Sequence, residues 1–361
     1  MIVTPVTVRV PAKVNLQLAV GPLRADGYHD LVTVFHAVSL FDEVTVRPAG
    51  RTTVRVTGED AAAVPAGRDN LAVRAAAALA RAAGAAGRRR ASRPAVDIEI
   101  RKRIPVAAGL AGGSADAAAT LVACNELWQA GLSGPELSAV AADVGSDVAF
   151  ALLGGTAIAL GRGEQLTAAL AAGTYHWVLA FAAGGLSTPE VYAACDRLRA
   201  ARAADLAGGS GPGGGSGPGG GAGPGGGAGP GSGPGSGPSS GSGSGGTAGP
   251  AQAAPRLSTE LMAALRSADP AAVGRLLTND LQPAALSLRP GLRRALSAGR
   301  EFGAVGAMVS GSGPTCAFLA ADAGHARELA VSLTGAGVCR AVARVHGPVP
   351  GATVVATAEQ A

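Results

Sequence analysis

The chain has 361 residues, 47% of them hydrophobic and only 3% aromatic, with a formal net charge of +5. That length suits two domains around a sizeable core, and no apolar run is long enough for a membrane span, so a soluble protein is expected, with no membrane partner. The modest positive charge and few aromatics argue against a nucleic-acid partner but suit a protein that handles polyphosphates.

Residues 2–10 alternate and are β-branched, which predicts a strand and no signal peptide. A second strand is expected over 14–20, and Asp26-Gly27 then marks a turn. The β pattern continues over 31–41 and 43–47, with further strands at 52–57 and 95–101; between these two, 70–83 is a helix by composition. Arg88-Arg89-Arg90, with Arg93, reads as a solvated loop. A glycine-rich turn over 105–113 then runs into an amphipathic helix predicted for 114–130. A helix over 137–144 ends at Gly145, and 155–160 and 176–182 are strand-like. From about 207 to 254 the chain is almost wholly Gly, Pro, Ser and Ala. It cannot bury enough surface to offset its ordering entropy and reads as a disordered insertion. Beyond it, 257–267, 270–278 and 289–301 are predicted helices, and 304–309 and 315–320 a hairpin-like pair. Residues 322–335 are predicted helical and 338–346 a last strand.

Strands and helices mixed without strict βαβ alternation predict an α+β fold in two halves. The expected boundaries are 1–172 for the first half and 173–206 plus 255–361 for the second. The four cysteines, Cys124, Cys195, Cys316 and Cys339, lie far apart without metal-like spacing, which suits reduced thiols in a cytoplasm.

Three separated elements carry chemistry. In Pro105-Val106-Ala107-Ala108-Gly109-Leu110-Ala111-Gly112-Gly113-Ser114-Ala115, small residues let the backbone approach a ligand, and a helix starting at Ser114 aims unpaired amides into the turn. That geometry favours a phosphate; a structural loop capped by Ser114 is the alternative. Neither the Walker A pattern nor the dinucleotide fingerprint fits the spacing. Lys13 and Asn15 alternate on one face of a strand, and Lys13 and Lys102 are the two lysines in an otherwise all-arginine basic set. Chance survival and selection for a compact ammonium are both open for these two. The third element is a second glycine turn, Ser310-Gly311-Ser312-Gly313-Pro314-Thr315. Asp147 follows Gly145-Ser146 and precedes an apolar stretch, so it reads either as a helix-capping carboxylate or as a base pointing into a cleft.

Together these segments resemble the GHMP kinase superfamily. The resemblance rests on Pro-Ala-Lys-Val-Asn-Leu at 11–16, Arg-Ala-Asp-Gly-Tyr-His at 24–29 and Asp-Asn-Leu-Ala-Val-Arg-Ala at 69–75. The loop at 105–115, Gly-Ser-Asp-Val-Ala-Phe at 145–150, Asn-Asp-Leu-Gln at 279–282 and the 310–315 turn complete it. It implies a two-domain fold with the active site in the cleft between domains. It further implies ATP-dependent phosphorylation, with Mg²⁺ bound mainly through the phosphates and Ser114 as a further candidate ligand. The Asp-Gly-Tyr-His element selects the branch acting on a cytidine-diphosphate-linked methylerythritol. The resemblance makes Asp147 the base and Lys13 its electrostatic support, and gives Asn15, Tyr28, His29 and Thr188 to the substrate. It places Asn70 and Lys102 near the ATP nucleoside, where a helix cap and a solvated strand end are the alternatives. Ser310, Gly311, Ser312 and Gly313 are expected beside the phosphates. The loop departs from the family's fuller glycine run at Ala107, Ala108 and Ala111, which keep the amide donor but not easy access to positive φ. A homoserine- or mevalonate-type kinase, or a non-catalytic nucleotide-binding protein on the same scaffold, are the rival readings.

Overall fold

The computed structural model describes residues 4–85, 95–208 and 254–355. The arginine cluster at 88–93 lies outside the described residues, as does the 207–254 insertion apart from residues 207, 208 and 254. The chain divides into two units, Met1–Asp196 with Ala253–Ala361, and Arg197–Gln252, and of the second the structure describes residues 197–208. The first carries everything described below.

Its elements in order are β1 (Val6–Leu23), β2 (His29–Ala49), β3 (Thr53–Gly58), α1 (Leu71–Ala85), β4 (Ala95–Lys102), α2 (Gly112–Leu127) and α3 (Gly134–Val144). Then come α4 (Ser146–Leu153), β5 (Thr156–Gly161), β6 (Gln165–Ala168), β7 (Tyr175–Phe181) and α5 (Thr188–Gly208), of which the second unit takes the C-terminal part. They continue with α6 (Thr259–Ser267), α7 (Pro270–Arg275), β8 (Thr278–Asn279), α8 (Gln282–Leu288) and α9 (Gly291–Glu301). The last are β9 (Gly306–Val309), β10 (Cys316–Ala320), α10 (Ala323–Gly335), β11 (Ala341–Gly347) and β12 (Thr353–Val354). The α+β class expected from the pattern is the one observed.

The larger sheet runs β12-β1-β2-β4-β3, with β5 and β6 continuing from β2 and β8 beside β1. Its spine is the long antiparallel pair β1–β2, which places Lys13 opposite Ala37 and Asn15 opposite Phe35. The two strands predicted at 2–10 and 14–20 are one strand, because a register shift at Pro11/Ala12 absorbs the proline that divides them in sequence. The predicted 31–41 and 43–47 merge likewise into β2. Along β1, Val14 and Leu16 enter the main apolar core while Lys13, Asn15 and Gln17 are buried on the other face.

Two helices differ from expectation for physical reasons. Helix α2 is not amphipathic: Ala115 through Leu121 are all buried, so it runs through the core with alanines allowing close approach on every side. It begins at Gly112 with Ala111 as its N-cap, so Ser114 is neither its first residue nor its cap. The helix predicted for 270–278 stops at Arg275, since Thr278 and Asn279 are drawn into a parallel pairing with Gln17 and Leu18. The second sheet, β11-β7-β10-β9, is antiparallel throughout. Val178, Ala180 and Phe318 pack there against Leu292 and Leu296 of α9 and Leu329 and Leu333 of α10.

Candidate active site

A cleft of about 740 Å³ lies along the functional face of β1. Lys13 Nζ donates to Asn15 Oδ1 at 2.6 Å, Asn15 Nδ2 donates to Thr33 Oγ1 at 2.9 Å, and Thr33 donates to the Gln17 carbonyl at 2.6 Å. The Lys13 ammonium also lies 5.3 Å from the centre of the Phe35 ring and 3.9 Å from Asp147 Oδ2. Burial lowers the Lys13 pKa from the ordinary lysine value, and the Asp147 carboxylate opposes that shift. Asp147 stands in the first turn of α4 with its side chain 32% exposed. An ammonium held in a nearly dry wall thus faces a carboxylate that a ligand can reach.

The glycine loop closes one side of this cleft. Lys13 N donates to the Leu110 carbonyl at 3.2 Å, which binds the loop to β1. Within α2 the first turn's amides lack intrahelical acceptors by geometry, and Gly112, Gly113 and Ser114 all line the cleft. The second glycine turn locks onto the loop: Ser310 Oγ donates to the Gly109 carbonyl at 3.2 Å and Thr315 N to the Ala108 carbonyl at 3.4 Å. Gly109, at φ +76°, has room for no side chain, since a Cβ would strike the backbone of Ser310 and Gly313. Inside the turn, Ser310 N and Gly313 N are bonded to the Thr315 and Ser310 carbonyls, while Gly311 and Ser312 line the cleft.

The opposite wall is built for a flat group. The tip between β1 and β2 is held by Arg24, whose guanidinium pairs with Asp26 and Asp30 at 2.8 and 2.9 Å. It presents Tyr28, 53% exposed, at the cleft mouth. His29 is buried, with Nε2 3.0 Å from Asp196 Oδ1 and its ring centre 5.1 Å from that of Tyr192. Thr188 Oγ1 and Ser312 Oγ share a 3.0 Å hydrogen bond, joining α5 to the second glycine turn.

Residues 70–155 match the GHMP kinases N terminal domain and residues 261–339 the GHMP kinases C terminal domain. A 4-diphosphocytidyl-2-C-methyl-D-erythritol kinase of Thermobifida fusca is 49% identical over 98% of this chain and 99% of its own. One of Mycolicibacterium smegmatis is 51% identical, covering 97% of this chain and 92% of its own. The chain belongs to the 4-diphosphocytidyl-2-C-methyl-D-erythritol kinases of the GHMP family. A crystal structure of a 4-(cytidine 5'-diphospho)-2C-methyl-D-erythritol kinase superposes with a TM-score of 0.63 at 31% identity, covering 94% of this chain and 98% of that one.

Most of the residues anticipated for such a GHMP kinase meet in the one cleft: Lys13, Asn15, Tyr28, His29, Ala107–Gly109, Ala111–Ser114, Asp147, Thr188, Gly311 and Ser312. Others lie elsewhere. Leu110 and Ala115 are buried, and Pro105 and Val106 line a separate cavity of about 540 Å³ behind the loop. Asn70 caps α1, its Oδ1 accepting from Ala72 N at 2.8 Å. Lys102 is no solvated strand end. It is buried under the loop, paired with Asp42 at 2.5 Å and Asp116 at 2.8 Å, and Asp42 also accepts from the amides of Arg103 and Ile104. Burial works against the Lys102 charge, but the two carboxylates prevail and raise its pKa; burial pushes the Asp116 carboxyl up. The three side chains therefore brace the root of the loop.

The alanines of the loop also correct an expectation. Ala107 (φ 51°) and Ala111 (φ 60°) adopt the left-handed conformation that the sequence reserves for glycine, at about 1–2 kcal/mol each. Hydrogen bonds from Leu186 N to the Ala107 carbonyl and from Ala115 N to that of Ala111 hold them there. Thr33, Phe35, Arg162, Tyr192 and Asp196 belong to the cleft and were not anticipated. Among the described residues no group of three or more His, Cys, Asp or Glu gathers to hold a metal, and no helix is long and apolar enough to cross a membrane.

Proposed function

We propose that this chain transfers the γ-phosphoryl group of ATP to the 2-hydroxyl of 4-diphosphocytidyl-2-C-methyl-D-erythritol, giving the 2-phosphate and ADP in non-mevalonate isoprenoid precursor synthesis. The observation that carries this reading is the Lys13–Asp147 pair at 3.9 Å, in a cleft bounded by two interlocked glycine turns. Asp147 takes the alcohol proton as the oxygen attacks the γ-phosphorus, the bond to the bridging oxygen breaks, and ADP departs. Lys13, 3.9 Å from Asp147, offsets the charge growing on the transferred group. Because Asn15 and Thr33 fix its Nζ, little reorganisation is needed as that charge develops.

The ATP phosphates lie against the amides of Gly112, Gly113 and Ser114, with those of Gly311 and Ser312 facing them. Mg²⁺ would be held mainly by the ATP phosphates and, when bound, would supply neutralisation of their charge. The Ser114 hydroxyl and the Asp147 carboxylate, both lining the cleft, are oxygen donors that would suit a hard cation held mainly by phosphates. Tyr28, His29 and Tyr192 take the cytosine ring. Burial pushes the Tyr192 phenol pKa well up, with Asp147 adding to the shift, so Tyr192 stays a neutral platform. The smaller sheet, β11-β7-β10-β9, lies wholly beyond residue 172, which supports a division into two domains, 1–172 and 173–206 with 255–361. Reduced thiols at Cys124, Cys195, Cys316 and Cys339 suit a cytoplasmic enzyme.

ADP release is measured with the cytidylated alcohol, mevalonate and homoserine in turn. Release with the first alone is expected; release only with another moves the enzyme to a different branch. Asp147→Asn is expected to lower kcat by about a hundredfold or more while leaving ATP affinity within about twofold. Near-normal turnover in that variant overturns the base assignment.

A further inference from the structure

We infer that Arg162 binds the diphosphate that joins the two halves of the substrate and so sets the preference for a nucleoside diphosphate over a nucleoside. The inference rests on the reading above. Lys13 and Arg162 are the lysine and arginine side chains lining the cleft among the described residues. Lys13 is engaged by Asn15 and Asp147. No carboxylate among the described residues stands within ion-pair distance of Arg162, whereas Arg24, at the neighbouring tip, is paired twice.

The local backbone fixes where this cation stands. Arg162 occupies the turn between β5 and β6, with Gly161 and Gly163 at φ +71° and +104° on either side. Glu164 Oε2 accepts from Arg162 N at 2.7 Å and clamps the turn. The guanidinium carbon lies 4.9 Å from the centre of the Tyr28 ring. Stacking on an aromatic face orients the planar fork and leaves its edge N–H groups free to donate. On the other side, Gly163 lies against Ser146 and Phe35, beside Asp147 and Lys13: a Cβ there would stand 3.7 Å from Ser146 Cβ and 3.9 Å from Phe35 Cζ. The turn therefore bridges the wall that takes the base and the carboxylate that takes the alcohol proton. A diphosphate tethering cytidine to the alcohol must cross that interval, and a fork of N–H donors matches its oxygens.

The test is binding of cytidine and of CDP to the whole protein, with wild type, Arg162→Ala and Arg162→Lys, alongside steady-state kinetics. Arg162 is exposed on a turn, so these variants are expected to fold. Wild type is expected to prefer CDP to cytidine. Arg162→Ala is expected to shrink that preference by about tenfold or more, with a matching rise in KM for the cytidylated alcohol and an unchanged KM for ATP. Arg162→Lys, which keeps the charge without the fork, is expected to fall between. A CDP-to-cytidine ratio unchanged in Arg162→Ala overturns the inference, even if both ligands weaken together, because that result is lost stacking on Tyr28. Wild type that turns over mevalonate or homoserine but not the cytidylated alcohol overturns the underlying reading instead, and is recognisable without any variant.

Discussion

Replacing Gly109 by Ala tests whether the two glycine turns act as one device. Gly109 sits at φ +76°, and its added methyl would meet the Ser310 carbonyl oxygen, Gly313 N at 2.8 Å and Gly313 Cα at 3.1 Å. All three are backbone atoms, so no rotamer change relieves the clash. The left-handed conformation costs an alanine about 1–2 kcal/mol and overpacking typically about 1–3 kcal/mol more. The chain can instead part the two turns, but this loses the hydrogen bonds from Ser310 Oγ to Gly109 and from Thr315 N to Ala108, at about 1 kcal/mol each. Either route destabilises the protein by about 2–5 kcal/mol. Parting the turns also moves the amides proposed for the phosphates, so KM for ATP should rise by about tenfold or more, while KM for the cytidylated alcohol moves much less. Urea unfolding and separate KM determinations for the two substrates read both effects. Stability within about 0.5 kcal/mol of wild type, with KM for ATP unchanged, would refute the idea that the loop leans on the second turn.

Ala111→Gly is the converse substitution. It removes a Cβ from a residue at φ 60° and should stabilise by about 0.5–1 kcal/mol once the greater unfolded-state freedom of glycine is subtracted; a lower midpoint in urea would show that Ala111 is not strained. His36 supplies a pH dependence. It is fully buried, with Nδ1 2.8 Å from Thr156 Oγ1, and burial pushes its pKa from 6.5 down to about 4. The unfolded ring takes up a proton below about pH 6.5 and the folded ring only near pH 4, so stability should be full above the first value and fall toward the second, by about 3 kcal/mol. In His36→Gln that part of the acid loss, followed by thermal or urea unfolding at several pH values, should disappear; an identical pH profile would remove His36 as its source.

How far the sequence spoke depended on whether a residue's partners lie near it in the chain. The spacing of Lys13 and Asn15 needs only β alternation, and Gly145-Ser146-Asp147 needs only a helix start. Both are as expected, and the loop and the 310–315 turn announce themselves by composition. Lys102 shows the limit: its place is set by Asp42, 60 residues away, and by Asp116, a pairing that no local pattern encodes. The alanines at 107 and 111 mislead for a related reason, since propensity alone puts them at negative φ and the bonds that reverse this come from Leu186 and the first turn of α2. The most instructive omission is α5. Thr188, Tyr192 and Asp196 recur every four residues, so they share a helix face, and all three line the cleft. The sequence contained that stripe, but helix formation at 188 had to be recognised before it could be read. Once it is, the face accounts for Tyr192 against His29, Asp196 on the His29 ring, and Thr188 on Ser312 in a single step. Arg162 had no such periodic signal. It becomes visible only when β5 pairs with β2 and brings the β5–β6 turn beside Tyr28, which makes it a residue that the fold, and not the local sequence, places in the cleft.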